Sequence, residues 1–407
     1  MGKYNYKRDV FKGLTPFPFL GEVKTRVQNI EAAPATIPQS VYNVNILAKS
    51  LHPAVQYCKI AKVVDHGDAK SFTLAPDKEK GTEKMAYFRA SQYVSVALNI
   101  NGAPVNKPYT IRSNPKDALG TENSTYTLTI KRTNPSYASG WILDNWKEGD
   151  SVEISGPLGD FYYMDLKDAK HVVALAGGSG ITPFYSMAAA IVDGIEDFNM
   201  TILYGSRTSD GILLKDEIEA LAAKSNGRVK VVHILSEEEK EGFEHGFINA
   251  ELIKKYAPEG DYSVFMCGPK AMYDFCTGEC VKLGLKKRRY RAEMSGDYMN
   301  VEKNADFPAE TKEKEFKLTV DIRGEKQTVA AKGGETLLWA MEKAGINAPS
   351  HCRSGECGWC HSRLVSGDVY IPEDADGRRA ADKKFGWIHP CCSYPLSDIE
   401  ICVFPTK

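Results

Sequence analysis

Cysteines near the carboxyl end of the chain carry its most specific chemical signal. Cys352, Cys357 and Cys360 follow the series C-x4-C-x2-C, and Cys391 and Cys392 come further along. This spacing is typical of [2Fe-2S] sites, in which four thiolates hold two irons. Thiolates are soft ligands that suit iron, and small loop residues let backbone N–H groups reach the sulfurs. Zinc is the alternative, but zinc sites more often use two short cysteine pairs, so we favour iron.

A glycine-rich segment, AGGSGITP at 176–183, lies between an apolar strand pattern and a helix pattern. Glycines allow close backbone approach, and a helix N-terminus offers free N–H groups to a pyrophosphate. A proline stands where the usual G-x-G-x-x-G fingerprint has its last glycine, and an isolated match of this kind is more often structural. The candidate phosphate-binding residues are Gly177, Gly178, Gly180, Thr182 and Pro183.

Three short motifs accompany this segment, namely KPYT upstream and YGSR and CGP downstream. Taken singly, each has a structural explanation, such as a strand aromatic or a buried cysteine at a strand end. Open parallel sheets bind ligands at the carboxyl edge of their strands, where YGSR and CGP would lie. The candidate residues of these motifs are Lys107, Pro108, Tyr109, Thr110, Arg207, Cys267, Gly268 and Pro269.

The segments that must position these motifs differ in their sequence patterns. Residues 51–164 alternate between apolar and polar and contain many turns, which predicts an antiparallel β-barrel or sandwich. Residues 165–298 repeat an apolar strand, a glycine turn and a helix, which predicts a parallel α/β sheet. A polar, charged linker at 299–315 leads to a strand-rich domain at 316–407 that carries the cysteines. Residues 1–50 form an extension with one short helix in PQSVYNVNILAKSL.

The composition indicates a cytoplasmic protein of two or three globular domains. Of its 407 residues, 43% are hydrophobic and 26% charged, as in ordinary globular proteins. A net charge of −1 provides no overall basic field for nucleic acid. No apolar run reaches the roughly 18 residues of a membrane span, and the beginning of the chain lacks the apolar stretch of a signal peptide. Ten unevenly spaced cysteines fit metal binding in a reducing compartment better than a disulfide framework.

The cysteine segment resembles a known family. HCRSGECGWCHSRLVSGDV together with CCSYPLSDIEI is similar to the plant-type ferredoxin domain, and the likeness covers residues 316–403. It implies a β-grasp fold that holds a [2Fe-2S] cluster. In that family the last ligand lies four residues before the proline that precedes the closing strand, which implies Cys391 rather than Cys392. The implied ligands are Cys352, Cys357, Cys360 and Cys391.

The other motifs, taken in order, are similar to those of the ferredoxin-NADP reductase superfamily over residues 56–298. The resemblance implies a flavin-binding β-barrel followed by a nicotinamide-binding α/β domain, with FAD favoured over FMN. The family's R-x-Y-[ST] motif matches Lys107, Tyr109 and Thr110, which implies that the tyrosine lies against the isoalloxazine and the threonine hydroxyl reaches N5. Lysine keeps the charge of the family's arginine but lacks the planar guanidinium that binds a phosphate through two parallel hydrogen bonds.

The same resemblance implies roles for residues outside that motif. Ser139, in SGWILDNWKEGD, would bind the flavin phosphate. Cys267 of the CGP motif would lie close to the nicotinamide. Glu293 would lie near the flavin, although an ordinary solvated carboxylate is the alternative. Arg207 would meet an adenosine phosphate or stay a surface arginine, and it does not distinguish NADH from NADPH.

Together the resemblances imply an NAD(P)H-dependent reductase. Hydride would pass from NADH or NADPH to the flavin, and single electrons would leave through the cluster to a partner redox protein. The expected catalytic residues are Tyr109, Thr110, Cys267 and Glu293. Two alternatives stay open, namely a subunit stably bound to a larger dehydrogenase and a stand-alone flavin reductase of a small molecule.

Overall fold

The structure is a computed structural model that describes residues 16–32, 42–119, 123–133, 137–293, 296–297 and 300–403. By its internal contacts the chain divides into two units, Met1–Lys49 and Ser50–Lys407. The first unit contains helix α1 (Pro16–Ala32) and most of helix α2 (Asn43–Leu51). Helix α2 confirms the predicted short helix. Helix α1 was not predicted, because it has neither an acidic first turn nor a basic last turn to mark its ends.

The second unit begins with the predicted antiparallel barrel. Its strands are β1 (Gln56–Asp65), β2 (Ala69–Pro76), β3 (Tyr93–Ile100), β4 (Ala103–Thr110), β5 (Tyr126–Lys131) and β6 (Ser151–Ile154), in the spatial order β4-β3-β6-β1-β2-β5. Cys58 and Ile60 of β1 are buried while Tyr57 and Lys59 face outward, which is the period of a half-buried strand. A bridge between Ile111 and Leu128 joins the two edges of the sheet and closes the barrel.

Strand β4 is the barrel strand that the sequence did not reveal. Pro108 lies inside it and has no N–H to give to a ladder, so the pattern argues against a strand. The proline is tolerated because β4 lies at the end of the strand order and pairs along its length with β3 alone. Helix α3 (Ala138–Asn145), between β5 and β6, was also not predicted.

The predicted parallel sheet follows. Its strands are β7 (His171–Gly177), β8 (Asn199–Ser206), β9 (Val229–Leu235), β10 (Glu244–His245), β11 (Ser263–Cys267) and β12 (Tyr290–Ala292), in the order β10-β9-β8-β7-β11-β12. The helices between them are α4 (Ile181–Val192), α5 (Lys215–Lys224), α6 (Ala250–Tyr256) and α7 (Lys270–Lys282). Alternate residues of β7 enter two separate cores, Val172 and Ala174 with α4, and Val173 and Leu175 with α7. The sheet is therefore covered on both faces.

The last domain has the predicted β-grasp arrangement. Its strands are β13 (Glu315–Ile322), β14 (Glu325–Lys332), β15 (Ser362–Ser366), β16 (Val369–Tyr370), β17 (Trp387–Ile388), β18 (Tyr394–Pro395) and β19 (Ile399–Val403). Five of them form a sheet in the order β14-β13-β19-β15-β17, and β16 pairs with β18. Helix α8 (Leu337–Lys343) covers the sheet and helix α9 (Ala380–Lys384) follows the cysteine loop. The sheet and α8 share one apolar core with three of the candidate thiols, Cys360, Cys391 and Cys392.

The segment predicted as a linker is packed rather than free. Val301 and Phe307 are buried in a small cluster with Tyr394, and Tyr370 packs against them. The ring of Phe307 meets that of Tyr370 edge to face at 5.2 Å between centroids. The described part of the linker is therefore held on the last domain by aromatic contacts.

Candidate cofactor-binding site

The strand order of the parallel sheet determines where a ligand fits. β7 pairs with β8 on one side and β11 on the other, so the connections diverge and leave a crevice beyond the carboxyl ends of β7 and β11. A cavity of about 1490 Å³ opens there. Single small-molecule sites occupy about 300–1,000 Å³. The cavity is therefore large enough for a flavin and a nucleotide side by side.

The predicted flavin residues line one wall of this cavity. Lys107, Pro108, Tyr109 and Thr110 contribute consecutively from the end of β4. Tyr109 also packs on the barrel core, and burial raises the pKa of its hydroxyl above the usual value. Tyr109 is therefore a neutral ring with a hydrogen-bonding end, as a planar ligand with polar edges requires.

Ser139 reaches the same cavity from the first turn of α3. Its Oγ accepts the backbone N–H of Thr133 at 3.1 Å and lies 2.9 Å from the Thr133 hydroxyl. The sequence predicts a turn here, whereas the structure has the beginning of a helix, where backbone N–H groups lack partners within the helix. A phosphate near Ser139 would thus meet a hydroxyl and free N–H groups.

The last domain also contributes to this cavity, which the sequence did not reveal. Trp339 of α8 lines it, and its ring contacts that of Tyr137 edge to face at 4.5 Å between centroids. Thr336 and Tyr394 add to the same wall. No local pattern signals a contact between residues so distant in sequence, so it emerges only once the domains are folded together.

The predicted phosphate loop has the expected strand-to-helix form. Gly178–Gly180 make a 3-10 turn directly after β7, and α4 begins at Ile181. Gly177, Gly178, Gly180 and Thr182 line the cavity, while Pro183 is buried in the first turn of α4 and is not among the described lining residues. The Tyr204 hydroxyl donates to Gly178 O at 3.0 Å and lies 2.9 Å from Leu213 O. The hydrogen bond to Gly178 connects the loop to β8.

The phosphate loop and the CGP motif touch each other closely. A Cβ added at Gly180 would lie 2.0 Å from Cys267 O and 2.8 Å from Gly268 N. Cys267, Gly268 and Pro269 line the cavity at the carboxyl end of β11, as predicted. Burial raises the pKa of the Cys267 thiol, so Cys267 is a neutral thiol there and not a thiolate nucleophile.

Arg207 is a surface arginine, which is the second of the two roles expected for it. It lines the cavity just after β8, and its side chain is 84% exposed. Its Nε lies 3.6 Å from Glu237 Oε1 in a pair of exposed side chains. A solvated pair of this kind is weak, so the guanidinium is available to a ligand phosphate.

Glu293 differs from the solvated carboxylate of the alternative interpretation. It is only 7% exposed, its Oε2 has no hydrogen-bond partner among the described residues, and it is not among the described lining residues of the cavity. Burial, with Glu356 and Asp160 nearby, raises the pKa of Glu293 to about 8. The carboxyl is therefore largely neutral at pH 7.

The raised pKa of Glu293 predicts a specific pH dependence of stability. Its pKa rises from 4.5 in the reference state to about 8 when folded, so its contribution is present at low pH and is lost as pH rises towards 8. Between pH 5 and 8 we expect stability to fall by up to about 1.4 kcal/mol per pH unit from this group. Urea unfolding at several pH values should show a shallower slope for Glu293→Gln. An unchanged slope, or the same change in the exposed control Glu310→Gln, would refute the assignment.

The candidate metal ligands approach one another in two pairs. The backbone N–H of Cys357 donates to Cys352 Sγ at 3.3 Å, and hydrogen bonding by the Cys357 thiol helps to lower the pKa of Cys352 to about 6. Cys360 Sγ lies 3.4 Å from Cys391 Sγ. Within the described residues, no three His, Cys, Asp or Glu side chains converge as a single metal ion requires. Two pairs of thiols suit two irons instead.

Backbone geometry adapts the cysteine loop to a sulfur-rich group. Ser354 and Trp359 each direct a backbone N–H to a cysteine Sγ at 3.5 Å. Gly355 has φ +84°, and a Cβ there would lie 2.0 Å from Ala375 O and 2.9 Å from Cys392 Sγ. N–H donors around thiolates and a loop without side-chain bulk are what an iron–sulfur cluster requires, so the residues fit the group.

Comparisons with known proteins give the same three-part organisation. Family models match residues 62–163 as an oxidoreductase FAD-binding domain, residues 174–277 as an oxidoreductase NAD-binding domain, and residues 320–396 as a 2Fe-2S iron-sulfur cluster binding domain. Among the described residues, none of the helices has the length and apolar character that crossing a bilayer requires.

Relatives match along most of the chain. The glycine betaine monooxygenase reductase subunit of Pseudomonas aeruginosa is 30% identical over 77% of this chain and 87% of its own. The ferredoxin reductase component of 3-ketosteroid-9-alpha-monooxygenase from Mycobacterium tuberculosis is 30% identical over 84% of this chain and 93% of its own. Phthalate dioxygenase reductase has the same fold, with a TM-score of 0.61 and 24% identity over 86% of this chain and 98% of its own.

Fold and site together define a reductase that uses NAD(P)H, FAD and a [2Fe-2S] cluster to pass electrons to a partner redox protein. The chain belongs to the family of flavin reductases with a carboxyl-terminal plant-type ferredoxin domain, to which these monooxygenase reductase components also belong.

Proposed function

We propose that the cavity holds FAD and the nicotinamide nucleotide together, and that the cysteine loop holds the cluster beside it. This proposal rests on one observation, namely that β4, the phosphate loop and α8 all line the same cavity. Gly296 lines the same cavity and donates its N–H to Cys352 O at 3.0 Å. The cysteine loop therefore begins next to a residue that lines the cavity. We also propose the domain limits 51–164, 165–298 and 316–407.

On the flavin side, each residue has one task. Tyr109 supplies a neutral ring for the flat face of the flavin, and Thr110 supplies a hydroxyl to its reacting edge. Lys107 and Ser139 meet its phosphate. FAD, when bound, accepts a hydride and releases electrons singly, so no side chain has to act as acid or base.

On the nucleotide side, the residues bind and orient. Gly177, Gly178, Gly180 and Thr182 surround the pyrophosphate at the N-terminus of α4, where free N–H groups favour an anion. Cys267, with Gly268 and Pro269, excludes water beside the nicotinamide as a neutral thiol.

The remaining candidates lie at the edges of the two sites. Arg207 binds a phosphate of the adenosine half, and Pro183 keeps the first turn of α4 rigid. Glu293 holds a proton between the barrel and the cysteine loop.

The cluster ligands are assigned as two pairs. Cys352 and Cys357 bind one iron, and Cys360 and Cys391 bind the other, because these are the thiols that lie together. The acceptor is a separate protein that receives single electrons from this cluster. A terminal oxygenase component is the first candidate, since two relatives are named as reductase components of monooxygenases. Apart from the four proposed ligands, six cysteines are free, which supports a reducing, cytoplasmic location.

An anaerobic stopped-flow experiment tests this proposal. In the holoprotein we expect NADH or NADPH to bleach the flavin band first and to produce the EPR signal of a reduced cluster afterwards. Thr110→Val should slow bleaching by about tenfold, because a hydrogen bond at the reacting edge is lost. Thr73→Val, a barrel threonine whose hydroxyl lies 3.4 Å from that of Thr127, is the control. A cluster that forms but is never reduced by either nucleotide would refute the electron path.

A further inference from the structure

Four charged side chains form a continuous, partly buried chain between the flavin strand and the cysteine loop. Lys107 of β4 forms an ion pair with Asp297 Oδ2, and Arg353 Nε forms one with Asp297 Oδ1. Arg353 then makes a bidentate pair with Glu342 of α8, at 2.5 and 2.9 Å. The charges of two cations and two carboxylates therefore cancel. These side chains come from β4, from the segment that contains Asp297 and from the last domain.

Burial makes this network costly to break. The side chains of Arg353 and Glu342 are 0% and 1% exposed, and those of Lys107 and Asp297 are 13% and 25% exposed. Burial, with Arg353 nearby, lowers the pKa of Lys107 well below its usual value, so its ammonium needs a nearby carboxylate to stay charged. Removing one partner of a buried pair leaves an uncompensated charge, which is strongly destabilising.

Asp297 occupies the junction of the network. Each of its carboxylate oxygens serves a different cation, Lys107 on the barrel and Arg353 in the cysteine loop. Without its charge, Lys107 and Arg353 would face each other with only Glu342 to neutralise them, and their repulsion would displace the loop that carries Arg353. One direct hydrogen bond between the loop and β4 would remain, from Arg353 Nη1 to Asn106 O at 3.2 Å.

Lysine at position 107 suits this arrangement. An ammonium has three N–H donors, so a bond to Asp297 leaves two for a ligand in the cavity that Lys107 lines. Arg353 adopts φ +61°, a left-handed backbone conformation that is unfavourable for a non-glycine residue. The surrounding contacts must compensate for that strain.

We propose that Asp297 is a positioning residue, and that the Lys107–Asp297–Arg353 bridge holds the cluster-bearing loop at a fixed distance from the flavin strand. The proposal rests on the function proposed above, because it concerns the same electron path. Electron transfer between two centres falls steeply with their separation. A small displacement of the loop therefore slows the flavin-to-cluster step more than it slows hydride transfer from the nucleotide.

The test compares Asp297→Asn with the wild-type holoprotein. Asparagine keeps the shape and removes the charge. We expect amide hydrogen exchange in residues 350–357 to be at least about tenfold faster, which corresponds to about 1.4 kcal/mol at 25 °C. In anaerobic stopped flow, cluster reduction should slow by at least about tenfold more than flavin bleaching by NADH does. Asp297→Glu, which keeps the charge, should restore most of that rate.

Asp306→Asn is the matched control. Asp306 is an exposed carboxylate in the nearby predicted linker, and it accepts the Tyr370 hydroxyl at 2.7 Å. Wild-type exchange and wild-type cluster reduction in Asp297→Asn would overturn the proposal, and so would an equal slowing of flavin bleaching. If the wild-type cluster is never reduced by a nucleotide, the proposed function fails, and the exchange measurement still decides on the bridge because it needs no electron flow.

Discussion

Cys391→Ser is expected to abolish delivery of electrons to a one-electron acceptor while NADH still bleaches the flavin. Changes around a metal site that leave its ligands intact already cost about 10–100-fold, so loss of a ligand should cost more than about 100-fold. Hydrogen bonds from the thiols of Cys360 and Cys392, and from the Gly355 N–H, lower the pKa of Cys391 well below its usual value. This low pKa favours Cys391 over Cys392 as the fourth ligand, as proposed above. Visible absorption and EPR of the purified variant measure the loss of the cluster.

Cys392→Ser is the matched control for Cys391→Ser, because the two cysteines are adjacent and equally buried. The Cys392 thiol donates to His389 O at 3.4 Å, and its pKa is raised, first by its bond to Cys391 and then by burial. A serine hydroxyl can make the same bond, so we expect the cluster and its EPR signal to persist. The reverse outcome, a cluster lost only in Cys392→Ser, would move the fourth ligand to Cys392.

Local patterns were sufficient to predict much of this fold. Alternation of apolar and polar residues marked β1 because one of its faces is buried, and the apolar run of β7 marked a strand buried on both faces. The cysteine spacing and the order of the motifs indicated the candidate site, and the segments AGGSGITP, YGSR and CGP lie where β7, β8 and β11 end. What these features share is that a few neighbouring residues determine them.

The features that escaped prediction depend on tertiary structure. Strand β4 is recognised only when its position at the edge makes Pro108 acceptable. Glu293 gives no sign of burial in RRYRAEM, and the contact of Tyr137 with Trp339 joins separate domains. Asp297 lies in a polar segment just before the predicted linker at 299–315. Packing between domains gives these residues their surroundings, and single-sequence patterns do not contain that information.

Gly180→Ala is expected to lower kcat/KM for NADH by about 100-fold, because displacements of about 1 Å around a reacting group have effects of that size. The added methyl would lie 2.0 Å from Cys267 O and 2.4 Å from Cys267 C, both of which are backbone atoms. A backbone cannot rotate away as a flexible side chain can, so the phosphate loop and the CGP motif must separate. The nucleotide would then lose either its pyrophosphate contacts or its position beside the flavin.

The same substitution at Gly278 isolates this steric effect. Gly278 is an exposed position in α7 of the same domain, and a Cβ there meets nothing within 4 Å. Alanine in a helix interior is favoured over glycine by about 0.5–1 kcal/mol, so Gly278→Ala should raise the midpoint of unfolding and keep wild-type kinetics. FAD content and the EPR signal after dithionite should be normal in both variants, since the barrel and cysteine loop are untouched. If Gly180→Ala turned over NADH as Gly278→Ala does, the two loops would not form the nucleotide site.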